Sequence, residues 1–164
     1  MAAADVVELV GLLEHAGVRV WLDGGWGVDA LLGGQTRPHD DLDLVAALED
    51  VDALQELLGR RGYVVAGGGA PMSFELVDPE GRQVDVHPVA FTDSGDGVYR
   101  MRNDEDWIYP AAGFEGVGSV VGRRVRCLTL EVQALCHEGY DLPPKHLADL
   151  AALSRRFGLS RPDG

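Results

Sequence analysis

The chain has 164 residues, 46% of them apolar and 25% charged, enough for one domain with a buried core or for a domain with a small helical appendage. Its 27 acidic and 14 basic residues leave a net charge of −13, which opposes association with nucleic acid phosphates and suits a cationic partner. No run approaches ~18 continuous apolar residues and no basic segment leads into an apolar one at the N-terminus, so the expectation is a soluble, cytoplasmic protein without a membrane partner.

Taken in order, apolar residues at helical spacing from Ala3 to Ala16 predict a first helix, stopped at Gly17. Val18 to Asp23 reads as a short strand. It ends in a Gly24-Gly25 turn, after which Trp26 to Leu32 has helical character until Gly33-Gly34. Leu42 to Val45 is the next strand, and Glu49 to Arg61 an amphipathic helix with Val51, Leu54, Leu57 and Leu58 on one face. Tyr63 to Ala66 is a strand followed by a flexible Gly67-Gly68-Gly69 connection. Ser73–Val77 and Arg82–His87 form a hairpin about Asp78-Pro79-Glu80-Gly81.

The segment from Thr92 to Gly116 reads as irregular with one or two short strands, and a second hairpin turns at Gly122. Thr129 suits the cap of a helix running to His137. Pro143-Pro144 opens a last helix with Leu147, Leu150, Ala151 and Leu153 on its apolar face, ending near Gly158. The order predicts a mixed α/β sheet flanked by helices, with residues 1–128 as the core and 129–164 as a C-terminal helical segment. Cys127 and Cys136 lack the spacing of a zinc site or disulfide framework and read as reduced core thiols.

Three features carry chemistry. Residues i and i+2 of a strand share a face, so Asp41 and Asp43 project together while Leu42 and Leu44 enter the core. Two carboxylates held that close call for a cation between them, and magnesium prefers such oxygens together with substrate phosphates. Gly24 and Gly25 lie between a strand and a helix start, where backbone N–H groups can face an anion. Asp85, between Val84 and Val86, is an ionised group in an apolar strand, costly unless paired or metal-bound; His87 shares its face and reads more readily as structural.

The stretches WLDGGWGVDALLGGQTRPHDDLDL, VDVHP, GRRVRCLTLEVQ and PPKHLADL together resemble the polymerase-beta-like nucleotidyltransferases, in the branch of the aminoglycoside 2''-adenylyltransferases and the small lincosamide nucleotidyltransferases. The resemblance runs nearly end to end. It implies Asp41, Asp43 and Asp85 as ligands of two magnesium ions, Asp85 also as general base, and Gly24 and Gly25 as the nucleotide signature. The aminoglycoside branch carries a glutamate two residues after the base; here His87 stands there, and the chain looks closer to the lincosamide branch at that point.

The implied reaction moves a nucleoside monophosphate, AMP from ATP, to a hydroxyl of a small antibiotic, a lincosamide or an aminoglycoside. Lys145, the sole lysine, and then Arg37 are the candidate cations for the leaving pyrophosphate, with His39 orienting a phosphate or an aspartate. Trp26 is expected to pack beneath the cradle. Asp104, Glu105 and Asp106 beside Trp107 could wall a cationic or sugar-bearing acceptor, and a homodimer could complete its pocket. Two other readings compete: the same chemistry on a protein or RNA end in a toxin–antitoxin setting, and a non-catalytic binding module. The acidic charge opposes the first, and retention of three costly carboxylates opposes the second.

Overall fold

The computed structural model describes residues 1–135 and 144–158, with only the backbone for 144–146. Helix α1 (Ala3–His15) leads into β1 (Val20–Leu22), α2 (Gly24–Leu32) and β2 (Asp41–Ala47). A 3-10 turn (Leu48–Asp50) runs into α3 (Val51–Gly59), followed by β3 (Val64–Gly68), β4 (Phe74–Val77) and the long β5 (Gln83–Phe91). Then come β6 (Gly97–Arg100), β7 (Asp106–Tyr109), a second 3-10 turn (Ala111–Glu115), β8 (Val117–Val120), β9 (Arg123–Arg126), α4 (Leu130–Leu135) and α5 (Pro144–Phe157).

The main sheet has the order β1-β2-β5-β4-β3, with β6 and β7 added beside β5; β8 and β9 form a separate hairpin. β2 pairs parallel with β5 along the whole of β2, and the other pairs are antiparallel. Alternation along β2 and β5 divides the sheet into two faces. Leu42, Leu44, Ala46, Val84 and Val86 enter a large core with Phe74, Leu76 and residues of α1 and α3, including Val6, Leu13, Leu54 and Leu58. The opposite face carries Asp41, Asp43 and Asp85 at one end. At the other end Val45 and Val89 join a smaller core with Trp21, Tyr109, Leu128 and Val132.

Three sequence expectations need correction. Gly24 and Gly25 are the first two residues of α2 rather than a turn before it, because the Asp23 carboxylate caps the helix by accepting from the Gly24 N–H at 2.8 Å. Gly67 and Gly68 lie inside β3, where a bulge next to β4 accommodates them, rather than in a flexible connection. Leu147 and Ala151 on α5 are exposed, and Asp149 is buried beside Leu153, because an ion pair described below draws the carboxylate inward. The Thr92–Gly116 segment carries two short strands, as expected, and β6 and β7 extend the main sheet from the end of β5. Cys127 is buried and reduced, its thiol pushed up to about 12 by burial; Cys136 and His137 lie outside the described residues.

Candidate active site

Parallel pairing of β2 with β5 sets Asp43 directly across from Asp85 and Asp41 across from Gln83. β1 ends where the Asp23 N–H donates to the Asp43 carbonyl at 3.0 Å, so the chain turns into α2 immediately over the carboxylates. The approach is close enough that a Cβ on Gly24 would overlap the Asp43 carboxylate, and Gly24 has a positive φ of 55°. A Cβ on Gly25 would overlap the His39 ring and lie 2.8 Å from Arg37 Nη2. These two glycines thus open the start of α2 toward Asp43 on one side and toward the Arg37–His39 loop on the other.

Beneath that loop lies a buried polar layer. His39 Nε2 meets the Asp29 carboxylate of α2, which also accepts from the Thr36 hydroxyl at 2.6 Å and the Thr36 N–H at 3.0 Å. The Trp26 ring packs 4.7 Å from that of His39 and is itself buried. Arg37 donates through Nε and Nη2 to both carboxylate oxygens of Asp149 on α5, at 3.0 and 2.6 Å. A two-pronged contact of this kind fixes the guanidinium plane as well as its position. Arg37 is therefore held by α5 beside Gly25, and His39 bears on an aspartate. Lys145 lies in the first turn of α5, with its side chain outside the described residues.

Asp85 is half-buried and accepts from Gln83 Nε2 at 2.8 Å. Burial pushes its carboxyl above the usual carboxylate range; the Gln83 bond pulls it down, the charges of Asp41 and Glu75 push it further up, and His87 lowers it. Glu75 stands directly across from Asp85 on β4. This carboxylate is not evident from the sequence, because its placement depends on β4 lying next to β5. Gln83, Asp29 and Asp149 were missed as well. Only Asp29 leaves a signal in the sequence, as a lone acid within the otherwise apolar GWGVDALL.

Among the described residues no three or more His, Cys, Asp or Glu side chains converge closely enough to hold a metal ion by themselves. The donor set is all carboxylate oxygen, the excess negative charge raises Asp85, and a helix start faces Asp43. Those properties fit magnesium shared between a few carboxylates and substrate phosphates, better than a site that encloses its ion. In the acidic run, Asp106 pairs with Arg100 at 2.5 Å, Glu105 accepts from Asn103 at 2.7 Å, and Asp104 occupies the β6–β7 turn. Trp107 faces Tyr99 across β6 and β7.

Residues 5–153 match the family model described as aminoglycoside-2''-adenylyltransferase. The chain belongs to that family. It is 32% identical to a lincosamide resistance protein of Staphylococcus haemolyticus over 84% of this chain and 85% of that one. It is 30% identical to a 2''-aminoglycoside nucleotidyltransferase of Escherichia coli over 85% and 78% of the two chains. Among solved structures, the lincomycin-bound lincosamide antibiotic adenylyltransferase LnuA superposes with a TM-score of 0.84 at 29% identity, covering 94% of this chain and 97% of that one. The fold is that of the nucleotidyltransferases, and the protein is an enzyme of that class.

Proposed function

We propose that this enzyme transfers AMP from ATP to a hydroxyl of a small antibiotic, with a lincosamide as the leading acceptor and an aminoglycoside as the second. The observation that supports the reaction most directly is the register that sets Asp43 against Asp85, with Asp41 on the same face, under the open start of α2. The lincosamide preference draws on the relatives and on His87.

Asp41, Asp43 and Asp85 would hold two magnesium ions, which when bound neutralise the triphosphate and lower the pKa of the attacking hydroxyl. The N–H groups at the start of α2 receive the phosphates. The acceptor oxygen then forms a bond to the α-phosphorus, the bond from that phosphorus to the β-bridging oxygen breaks, and pyrophosphate departs. Asp85 takes the hydroxyl proton, a role that suits a carboxyl raised by burial. Arg37, fixed by Asp149, and Lys145 supply positive charge to the leaving group. Residues 1–128 act as the catalytic unit, and α5 serves the nucleotide side.

The test is pyrophosphate release with magnesium, a set of nucleotides, and a panel of lincosamides and aminoglycosides. ATP with a lincosamide is expected to give the fastest release. No stimulation by any drug would remove the antibiotic reading.

A further inference from the structure

Beyond the carboxylates, the site face of the sheet continues into aromatic residues. His87 follows Asp85 by two positions on β5 and shares its face. The Tyr99 ring of β6 stacks on the His87 ring, with centroids 5.5 Å apart and planes 12° from parallel. Trp107 of β7 lies directly across from Tyr99, and therefore on the same face. All three are half-buried, between the open carboxylate end and the smaller core.

Glu75 flanks this row. It lies across from Asp85 with its neighbours Phe74 and Leu76 in the large core, so its own side chain is on the site face. Among the described residues no hydrogen bond or ion pair to Glu75 is formed. Next along is Gly67 of β3, whose Cβ, if present, would sit 3.7 Å from Glu75 Oε2, so no side chain from that residue covers the carboxylate.

We propose that His87, Tyr99 and Trp107 form the platform on which the acceptor's sugar ring lies, with Glu75 binding the acceptor's cationic amine. This rests on the antibiotic-modifying function proposed above. Aromatic faces pack against the apolar C–H face of a sugar, and a half-buried carboxylate without a partner has the charge and donor requirement of a protonated amine. Both features lie on the Asp85 side of the site, on strands away from the α2 cradle. An acceptor placed there presents its hydroxyl to Asp85 from the side opposite the phosphates.

Lincomycin and tobramycin serve as probes, each with its KM measured alongside that for ATP in wild type, Glu75→Gln and Tyr99→Leu. Glu56→Gln on α3, at the opposite face, is the charge control. Acceptor KM is expected to rise about tenfold or more in both site variants, the loss typical of a charge-assisted bond, with the KM for ATP within about twofold. Glu75→Gln also flattens the dependence of acceptor KM on salt, and titration calorimetry with lincomycin alone shows the same weakening. Thermal melts verify that each variant folds.

If wild type modifies a drug and both variants keep its KM, the platform is wrong and the proposed function stands. If Glu75→Gln instead lowers kcat and raises the KM for ATP, Glu75 belongs with the metal ligands and the amine assignment fails. If wild type modifies neither drug, the function and the platform fall together.

Discussion

Asp85 combines a chemical task with a physical cost. It is half-buried, and its carboxyl is raised by burial and by the charges of Asp41 and Glu75. Replacing it with asparagine removes the proton acceptor and a charge repelled by its neighbours. Asp85→Asn is expected to reduce turnover by ~10²–10⁴ while the melting temperature of the metal-free protein stays level or rises. Activity assays beside calorimetry measure both, and near-wild-type turnover would remove Asp85 as base. Gly24→Ala has the opposite balance of causes. The added methyl overlaps Asp43 at a positive φ, so turnover should fall at least as far as in Asp85→Asn, accompanied by a lower melting temperature.

Two elements owe their placement to buried ion pairs. α5 is drawn in by Asp149, which orients Arg37 beside Gly25. Asp149→Asn keeps the shape but loses the charge, and the KM for nucleotide is expected to rise about tenfold. Steady-state kinetics with varied ATP gives the readout, and an unchanged KM would separate Arg37 from phosphate binding. The β4–β5 hairpin is held by Asp78, which is buried in the turn. It accepts from the Arg82 N–H at 2.8 Å, the Glu80 N–H at 3.0 Å and the Arg82 Nε at 2.7 Å. Burial would push its carboxyl up, but the bonds and charge of Arg82 outweigh this and hold it below the usual range.

A carboxyl lowered by folding contributes stability that is present above its unfolded value of ~3.9 and is lost as pH falls through the folded one. Acid unfolding should therefore include a proton uptake below ~pH 4 that Asp78→Asn removes. Melts between pH 2 and 6, a range of about four units chosen around that value, compare the two proteins.

For the molecule as a whole, the net charge of −13 sets the direction of long-range forces. Nucleic acid should not be retained at physiological salt, and the apparent affinity for a cationic acceptor should fall as salt rises. Retention on a DNA column and KM at varied salt test the two statements. No described helix is long and apolar enough to cross a membrane.

The sequence by itself determined the hairpin at Asp78–Gly81, the amphipathic helix of Val51, Leu54 and Leu58, and the pairing of Asp41 with Asp43 on one strand face. Each follows from turn chemistry or from the period of a regular backbone, and both are local. The Gly24-Gly25 and Asp-x-Asp spacing was also legible, because the segments that carry them are close in the chain. Only the tertiary structure decided that Asp85 faces Asp43, that Glu75 stands behind it, and that Asp149 reaches back 112 positions to Arg37. Those relations depend on strand order and helix docking, which follow from burial of the whole core, and no local spacing encodes them.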